Sequence, residues 1–482
     1  MLCGYCGVMV GLECCCPLAP MRSDPRVREA AARGDLGTVL RQVRANTTPR
    51  LTQKDLATIT GLSQGSISRL ESGRHLLLSD ARKLRRALEG LGLSPSDPAP
   101  VVEVPRPSRE AAPVAPLGVD QTSWEIGGAM RALSTVLEYG PTRRQVMSLA
   151  GAAAVGQVTQ WALAEDPPAH ATEAQEPGGD ALVRRLADSV NHLRMADAQG
   201  GASPALRALG QTQLEFLHQL LRNGGHGATQ QRQLLRVTAE LAGQMGWMAV
   251  DAGEDRAPHM LLAALRTAHA ADDPILGAGI ISYLAVHAYS QGQGREAALM
   301  ASTALHRLGT QAPPAVRCML LIRQARGHAV AGQERQARTA LEEAFTVFDP
   351  QAPAPRWLYW VDTGELHGQA GSALYELGHA EEALGHAERA VVGYRPECVR
   401  NQASAQLRAA RSLVGMGEVD QACVRAHQAL DQVEELNSVR TTGQVGTLLE
   451  DLAPYADRPG VVEIGERVVP ILGSQEVARV LA

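Results

Sequence analysis

The strongest constraint on how this 482-residue chain folds is a frame of small residues that recurs four times. Gly292, Gly332, Gly378 and Gly417 are each followed by alanine five and twelve residues on: Ala297 and Ala304, Ala337 and Ala344, Ala383 and Ala390, Ala422 and Ala429. Seven residues before each glycine stands another small residue, Ala285, Ala325, Gly371 or Ala410. Gly253 begins an earlier, imperfect copy, with Gly246 before it and Ala257 and Ala264 after it. Nearly everything from residue 181 to 482 reads as helix with short breaks. In such a chain the frame predicts antiparallel helix pairs that touch at the small residues, where a large side chain would push them apart. The glycine turns the chain between the two helices. No single pair can bury its apolar face, so the pairs must stack into an all-α array.

A second pattern lies near the start. In Leu51 to Arg74, LTQKDLATITGLSQGSISRLESGR, Thr52 is a candidate N-cap, and Leu56 and Ile59 share a face. Gly61 allows a sharp turn, Ser63 can cap a second helix, and Ile67 and Leu70 point inward three residues apart. Gln64, Gly65, Ser68, Arg69 and Ser72 are left facing out; short, amide-bearing or basic, they suit a helix laid in the major groove. An earlier helix is predicted from Leu36 to Asn46, with Leu36, Val39, Leu40 and Val43 on one face, and a later one, capped by Ser79 or Asp80, through Leu84, Leu88 and Leu91.

Leu51-Thr52-Gln53, Leu56-Ala57, Gly61, Ser63, Ile67-Ser68, Leu70-Glu71 and Gly73-Arg74 resemble the lambda-repressor-like DNA-binding domain of the XRE family of bacterial regulators over roughly residues 34–93. The resemblance implies that Gln53 lies against a phosphate and that Gln64, Gly65, Ser68 and Arg69 face base edges; Ser66, Ser72 and Arg74 complete the expected DNA-binding set, Arg74 on a phosphate because of its outward position. Gly65 departs from the pattern, since it has no side chain to read with, and more of the reading falls to Gln64 and Arg69. The small-residue frame over about 235–435 is similar to the tetratricopeptide repeat, with a longer period. That resemblance implies a concave wall built from the first helix of each pair. Positions ten, six and three before the glycines then give an effector groove of Trp247, Ser282, Tyr289, Arg326, Tyr375 and Arg411. Aromatics and arginines are the side chains that anchor a peptide well.

Charge divides the chain in the same way. Residues 22–95 carry fourteen Arg or Lys against seven Asp or Glu, a net +7, while the whole chain is −5, so the remainder is acidic at −12. A basic head on an acidic body fits nucleic-acid binding at one end and partner binding at the other. Prolines 95, 98, 100, 105, 107, 113 and 116 mark a linker. The expected organisation is therefore an N-terminal extension at 1–21, a helix-turn-helix domain at 22–94, a proline-rich linker at 95–122, connecting helices at 123–164, a second linker at 165–180, and the helical-repeat domain at 181–482.

Five of eight cysteines crowd the first sixteen residues, Cys3, Cys6, Cys14, Cys15 and Cys16. No second C-x-x-C pair or histidine follows at finger spacing, so they read as an over-long gene start ahead of Met21 rather than a metal site. Cys318, Cys398 and Cys423 read as reduced core thiols, which favours the cytoplasm. Arg143-Arg144 before the apolar Leu149–Val155 run resembles an export signal but lies far inside the chain, and reads as an amphipathic or buried helix. No apolar run has the length of a membrane span. There is no H-E-x-x-H, G-x-S-x-G or phosphate loop, and the histidines, His287, His328, His367 and His386 among them, fall on separate helices. Neither catalytic residues nor a cofactor is expected. The expectation is a cytoplasmic transcription regulator that binds a double-stranded operator as a homodimer and whose repeat domain takes a peptide or protein effector. The alternative is an interaction scaffold with a vestigial or autoregulatory DNA-binding head.

Overall fold

The computed structural model describes residues 16–32, 36–48, 50–71, 87–88, 90–93, 122–139, 151–167 and 179–481. The chain divides into two compact units, Met1–Pro113 and Val114–Ala482. The described residues form helices and no β-strand. The helix expected after Ser79, residues 95–121 of the proline-rich linker, the Gly140-Pro141 break with Arg143-Arg144, and 168–178 of the second linker lie outside the described residues.

The head contains α1 (Pro25–Ala32), α2 (Leu36–Asn46), α3 (Gln53–Thr60) and α4 (Gln64–Glu71). Leu36, Val39, Leu40 and Val43 of α2 bury against Leu56, Ile59, Ile67, Leu70, Leu88 and Leu91. Thr52 begins α3 as a capping box: its Oγ1 accepts from the Asp55 amide at 3.2 Å, and Asp55 Oδ2 accepts from the Thr52 amide at 2.8 Å. Such a cap stabilises a helix by about 1 kcal/mol. Gly61 ends α3 in the left-handed region, at φ 69°. Arg41 Nη1 donates to the Glu71 carbonyl at 3.0 Å, which satisfies one of the carbonyls left open at the end of α4.

The extension expected at 1–21 is corrected at its end. Leu18 is 1% exposed, and Cys16 and Met21 are buried with it in the head core. Arg22 Nε donates to the Leu91 carbonyl at 3.1 Å. A chain that starts at Met21 loses Leu18, and should lose about 1.5–3 kcal/mol of head stability. Hydrogen exchange of the α2 amides in the full-length and shortened chains measures this, and equal protection would show Leu18 to be dispensable.

The body begins with α5 (Ile126–Ser134), α6 (Ala152–Leu163), α7 (Gly179–Gly200) and α8 (Pro204–Asn223). Helix pairs follow: α9 (Ala228–Asp251) with α10 (Ala257–Ala270), α11 (Pro274–Ser290) with α12 (Gly294–Leu308), α13 (Pro314–Val330) with α14 (Glu334–Val347), α15 (Thr363–Glu376) with α16 (Ala380–Gly393), α17 (Val399–Gly415) with α18 (Val419–Val433), and α19 (Val439–Leu452) with α20 (Pro459–Leu472). Helix α21 (Ser474–Leu481) closes the chain. Each turn glycine of the frame, Gly253, Gly292, Gly332, Gly378 and Gly417, adopts positive φ, from 68° to 87°. The alanines five and twelve residues after the four regular glycines are all buried. At Gly371 a Cβ would stand 3.0 Å from the Ala383 carbonyl oxygen, so the helices of that pair meet backbone to backbone. The body is an α-solenoid of tetratricopeptide-like hairpins.

Two features of the body go beyond the repeat frame. The helices expected to connect the domains instead pack on the second helices of the pairs, α5 on α10 and α6 on α12. Trp161 of α6 is fully buried, and Arg307 of α12 stacks over its ring at 4.8 Å while donating to the Ala162 carbonyl at 2.8 Å. Arg266 of α10 stacks over Trp124 at 4.4 Å and donates to Gln157 Oε1 at 2.5 Å. With these helices laid over it, every residue of α10 is buried, which accounts for a sequence that is apolar nearly all round. The array also closes on itself. Helix α7 packs against α17 and α9 against α19, and the Asn437 amide donates to the Gly200 carbonyl at 2.9 Å. Gly201, at φ 76°, permits this approach, because a Cβ there would lie 2.5 Å from the Asn437 oxygen.

Candidate functional site

On α4, Gln64 and Ser68 are exposed four residues apart on one face, while Ile67 and Leu70 are buried behind them. Gly65, Ser66 and Arg69 belong to the same helix, but their side chains lie outside the described residues, as do Ser72 and Arg74 altogether. Gln53 is already engaged: its Nε2 donates to Glu71 Oε2 at 2.6 Å, and Arg44 pairs with Glu71 at 3.1 Å. A phosphate at Gln53 has to draw the amide away from that carboxylate.

The body holds a cavity at the centre of its closed array, about 710 Å³ of space free of protein atoms with its solvent-open mouth included. Its floor follows the repeat. The residue nine before each turn glycine faces it: Gln244 on α9, Tyr283 on α11, Arg323 on α13, Gln369 on α15 and Arg408 on α17. Trp247, Tyr289, Tyr394, Arg194, Arg400 and Arg440 also line it.

Ion pairs tie the two ends of the array together across this cavity. Arg400 of α17 reaches Asp197 of α7 at 3.3 Å and Asp251 of α9 at 3.2 Å. Arg440 of α19 joins Asp251 at 3.1 Å, Ser438 Oγ donates to Asp251 at 3.0 Å, and Gln244 donates to Asp197 at 3.0 Å. Burial pushes the Asp197 carboxyl up, and Arg400 offsets only part of this because the Asp251 charge opposes it. Burial acts on Asp251 as well, but two guanidiniums and the Ser438 bond outweigh it and hold that carboxyl below its ordinary value. Both guanidiniums lie over Trp247, at 5.2 and 5.5 Å from the ring centre. Further along, Glu365 accepts from Arg323 at 3.1 Å, Gln369 at 3.0 Å and the Tyr394 hydroxyl at 3.1 Å.

Of the expected groove residues, Trp247 and Tyr289 line the cavity. Ser282 does not; it is fully buried in the core, beside the true facing residue Tyr283. One residue turns a helix by about 100°, so counting ten rather than nine before the glycine selects the wrong face. Arg326 and Arg411, expected as open cations for a ligand, are paired within the protein. Arg326 meets Glu376 at 2.8 Å and stacks over Tyr289 at 5.0 Å. Arg411 meets Asp451 at 2.6 Å and stacks over Tyr375 at 4.6 Å, whose hydroxyl donates to the same carboxylate at 3.2 Å. These two arginine–tyrosine–carboxylate sets join successive first helices: α11, α13 and α15 in one case, α15, α17 and α19 in the other. The sequence signal that was missed is the position nine before each glycine. It carries two arginines, two glutamines and a tyrosine, a polar row on otherwise buried helices. The histidines fall on separate helices as expected, but His367 of α15 and His386 of α16 meet across their pair at 2.9 Å through their Nδ1 atoms, and burial, then the neighbouring His386, pushes His367 down to about 4.

Residues 35–99 match the family of helix-turn-helix domains. The helix-turn-helix domain thus takes in α2, α3 and α4, with the exposed Gln64 and Ser68 on its second helix. No curated protein matches the chain. Among solved structures, aspartyl phosphate phosphatase F from Bacillus subtilis is similar over 65% of this chain and 89% of its own, at 12% identity and a TM-score of 0.34. No helix among the described residues is long and apolar enough to cross a membrane.

Proposed function

We propose that this chain is a cytoplasmic, XRE-type transcription regulator. Its helix-turn-helix domain binds an operator as one half of a homodimer, and its repeat body takes a peptide or protein effector. It is a binding protein rather than an enzyme. The observation that carries the reading is the pairing of a helix-turn-helix domain with a closed helical array whose polar repeat row converges on one cavity. An effector there sits among side chains from both ends of the array. It shifts operator occupancy by its differential affinity for the closed and opened arrangements, typically about 1–3 kcal/mol. The departure at Gly65 favours the second reading, an interaction scaffold with a weakened head.

The head is tested by mobility shifts on selected operator DNA. Arg69→Ala should cost about 1–3 kcal/mol and relax one base position, whereas Arg74→Ala should weaken binding to all sequences alike. Unchanged affinity of the Arg69 variant would exclude this orientation of α4 on DNA, and failure to select any sequence would leave the scaffold reading in place.

A further inference from the structure

Positive charge in the central cavity is matched by carboxylates at every arginine but one. Among the cavity-lining residues, Arg194 pairs with Glu240, Arg323 with Glu365, Arg400 with Asp197 and Asp251, and Arg440 with Asp251. Arg408 has no ion pair or hydrogen bond among the described residues, and its Nη1 is fully buried without a partner. One turn back on the same helix, Ser404 also lines the cavity, is 1% exposed, and has a buried Oγ without a partner. Residues four apart share one helix face, so both groups look into the same space. The nearest acidic group is spoken for: both Glu365 oxygens accept from Arg323, Gln369 and Tyr394.

We infer that the cavity is a carboxylate site, with the Arg408 guanidinium and the Ser404 hydroxyl as its two donors. The buried Nη1 of the half-buried Arg408 is left without an acceptor, and an acceptor-only ligand group with two oxygens is the complement of a guanidinium fork next to a hydroxyl. The environment is consistent with this: burial, reinforced by Arg326 and partly countered by Tyr394 and Glu365, pushes Arg408 below its ordinary value, and a bound anion would oppose that shift. The inference rests on the proposal that the body takes an effector, and it supplies the chemical class of the group that enters first. A free peptide C-terminus and a small organic acid share that chemistry. Arg326 and Arg411 do not provide it, since each already holds a carboxylate of this chain.

The test uses the full-length protein and thermal unfolding followed by tryptophan fluorescence. Sodium acetate should raise Tm above sodium chloride of equal ionic strength, and acetamide should not. Arg408→Met should abolish the acetate-dependent rise while leaving the acetate-free protein at least as stable, because Arg408 has no hydrogen bond or ion pair among the described residues for the change to break, and a side chain of similar length keeps the packing. Ser404→Ala should reduce the acetate effect without abolishing it. Equal acetate responses in the wild type and in Arg408→Met would overturn the assignment, as would a lower Tm of Arg408→Met in chloride alone, which would make Arg408 a structural partner. Acetyl-Ala-Ala with a free carboxylate, set against its amide, separates the sources: tighter binding than acetate that is lost in the amide identifies a peptide terminus, and no gain over acetate identifies a small acid. Operator mobility shifts run in parallel keep the two readings apart. Carboxylate binding that leaves operator affinity unchanged retains the site and removes its regulatory role, whereas operator binding without any carboxylate effect retains the regulator and removes the site.

Discussion

Arg400→Ala will cost the body about 3–5 kcal/mol of unfolding free energy, the range for breaking a buried pair from one side. Its guanidinium lies between Asp197 and Asp251, whose side chains are 2% and 0% exposed. After truncation Asp251 still has Arg440, and Asp197 keeps only the Gln244 amide. The penalty falls mainly on Asp197, whose carboxyl is already pushed up by burial. A carboxyl with a raised pKa sits comfortably in its neutral form below its unfolded value and loses stability as pH rises through the folded value. The deficit of the variant should therefore shrink as pH is lowered and grow as it is raised. All five tryptophans lie at or beyond Trp124, so fluorescence during a urea titration follows the body without the head. A deficit below about 1 kcal/mol, the ordinary worth of an exposed pair, would mean that water already reaches the clasp. Arg400→Lys should recover only part of the loss, since one ammonium cannot span both carboxylates as a guanidinium fork does.

Trp161→Ala should destabilise the body by a similar amount, about 3–5 kcal/mol. The indole is fully buried between Arg307 and the α11 backbone at Gly277, where a Cβ would come within 2.9 Å of the ring. The residue that faces the ring from α11 is a glycine, with no side chain to move into the void on that side. The remaining four tryptophans report the midpoint in urea. A change below about 1 kcal/mol would return α6 to the role of a loose connector, in which a buried aromatic would not be felt.

Much of this architecture is legible from local sequence. The Leu36–Asn46 helix, the Thr52 cap and the left-handed Gly61 each depend on residues within one or two turns of each other, and the structure has them where the residues place them. The same holds for the turn glycines, since a positive φ between two helices selects glycine wherever the pair is. The buried small residues followed because close approach leaves room for no other kind. The candidate site was read less well. Trp247 and Tyr289 were placed on the inner wall, but Ser282 was one residue away from the facing position, and Arg326 and Arg411 were expected to be free.

The sequence alone therefore determined the kind of object this is, a helix-turn-helix head followed by stacked helical hairpins, because capping, turning and close packing act over a few residues at a time. Only the tertiary structure decided which cations remain open. Arg400 finds Asp197 about two hundred positions away, since the array bends back until α7 meets α17. Arg326 and Arg411 find their carboxylates on the next first helix. Arg408 finds none among the described residues. Spacing along a helix says which face a side chain occupies, but whether its charge is answered depends on what the closed array brings opposite it, and no local pattern encodes that.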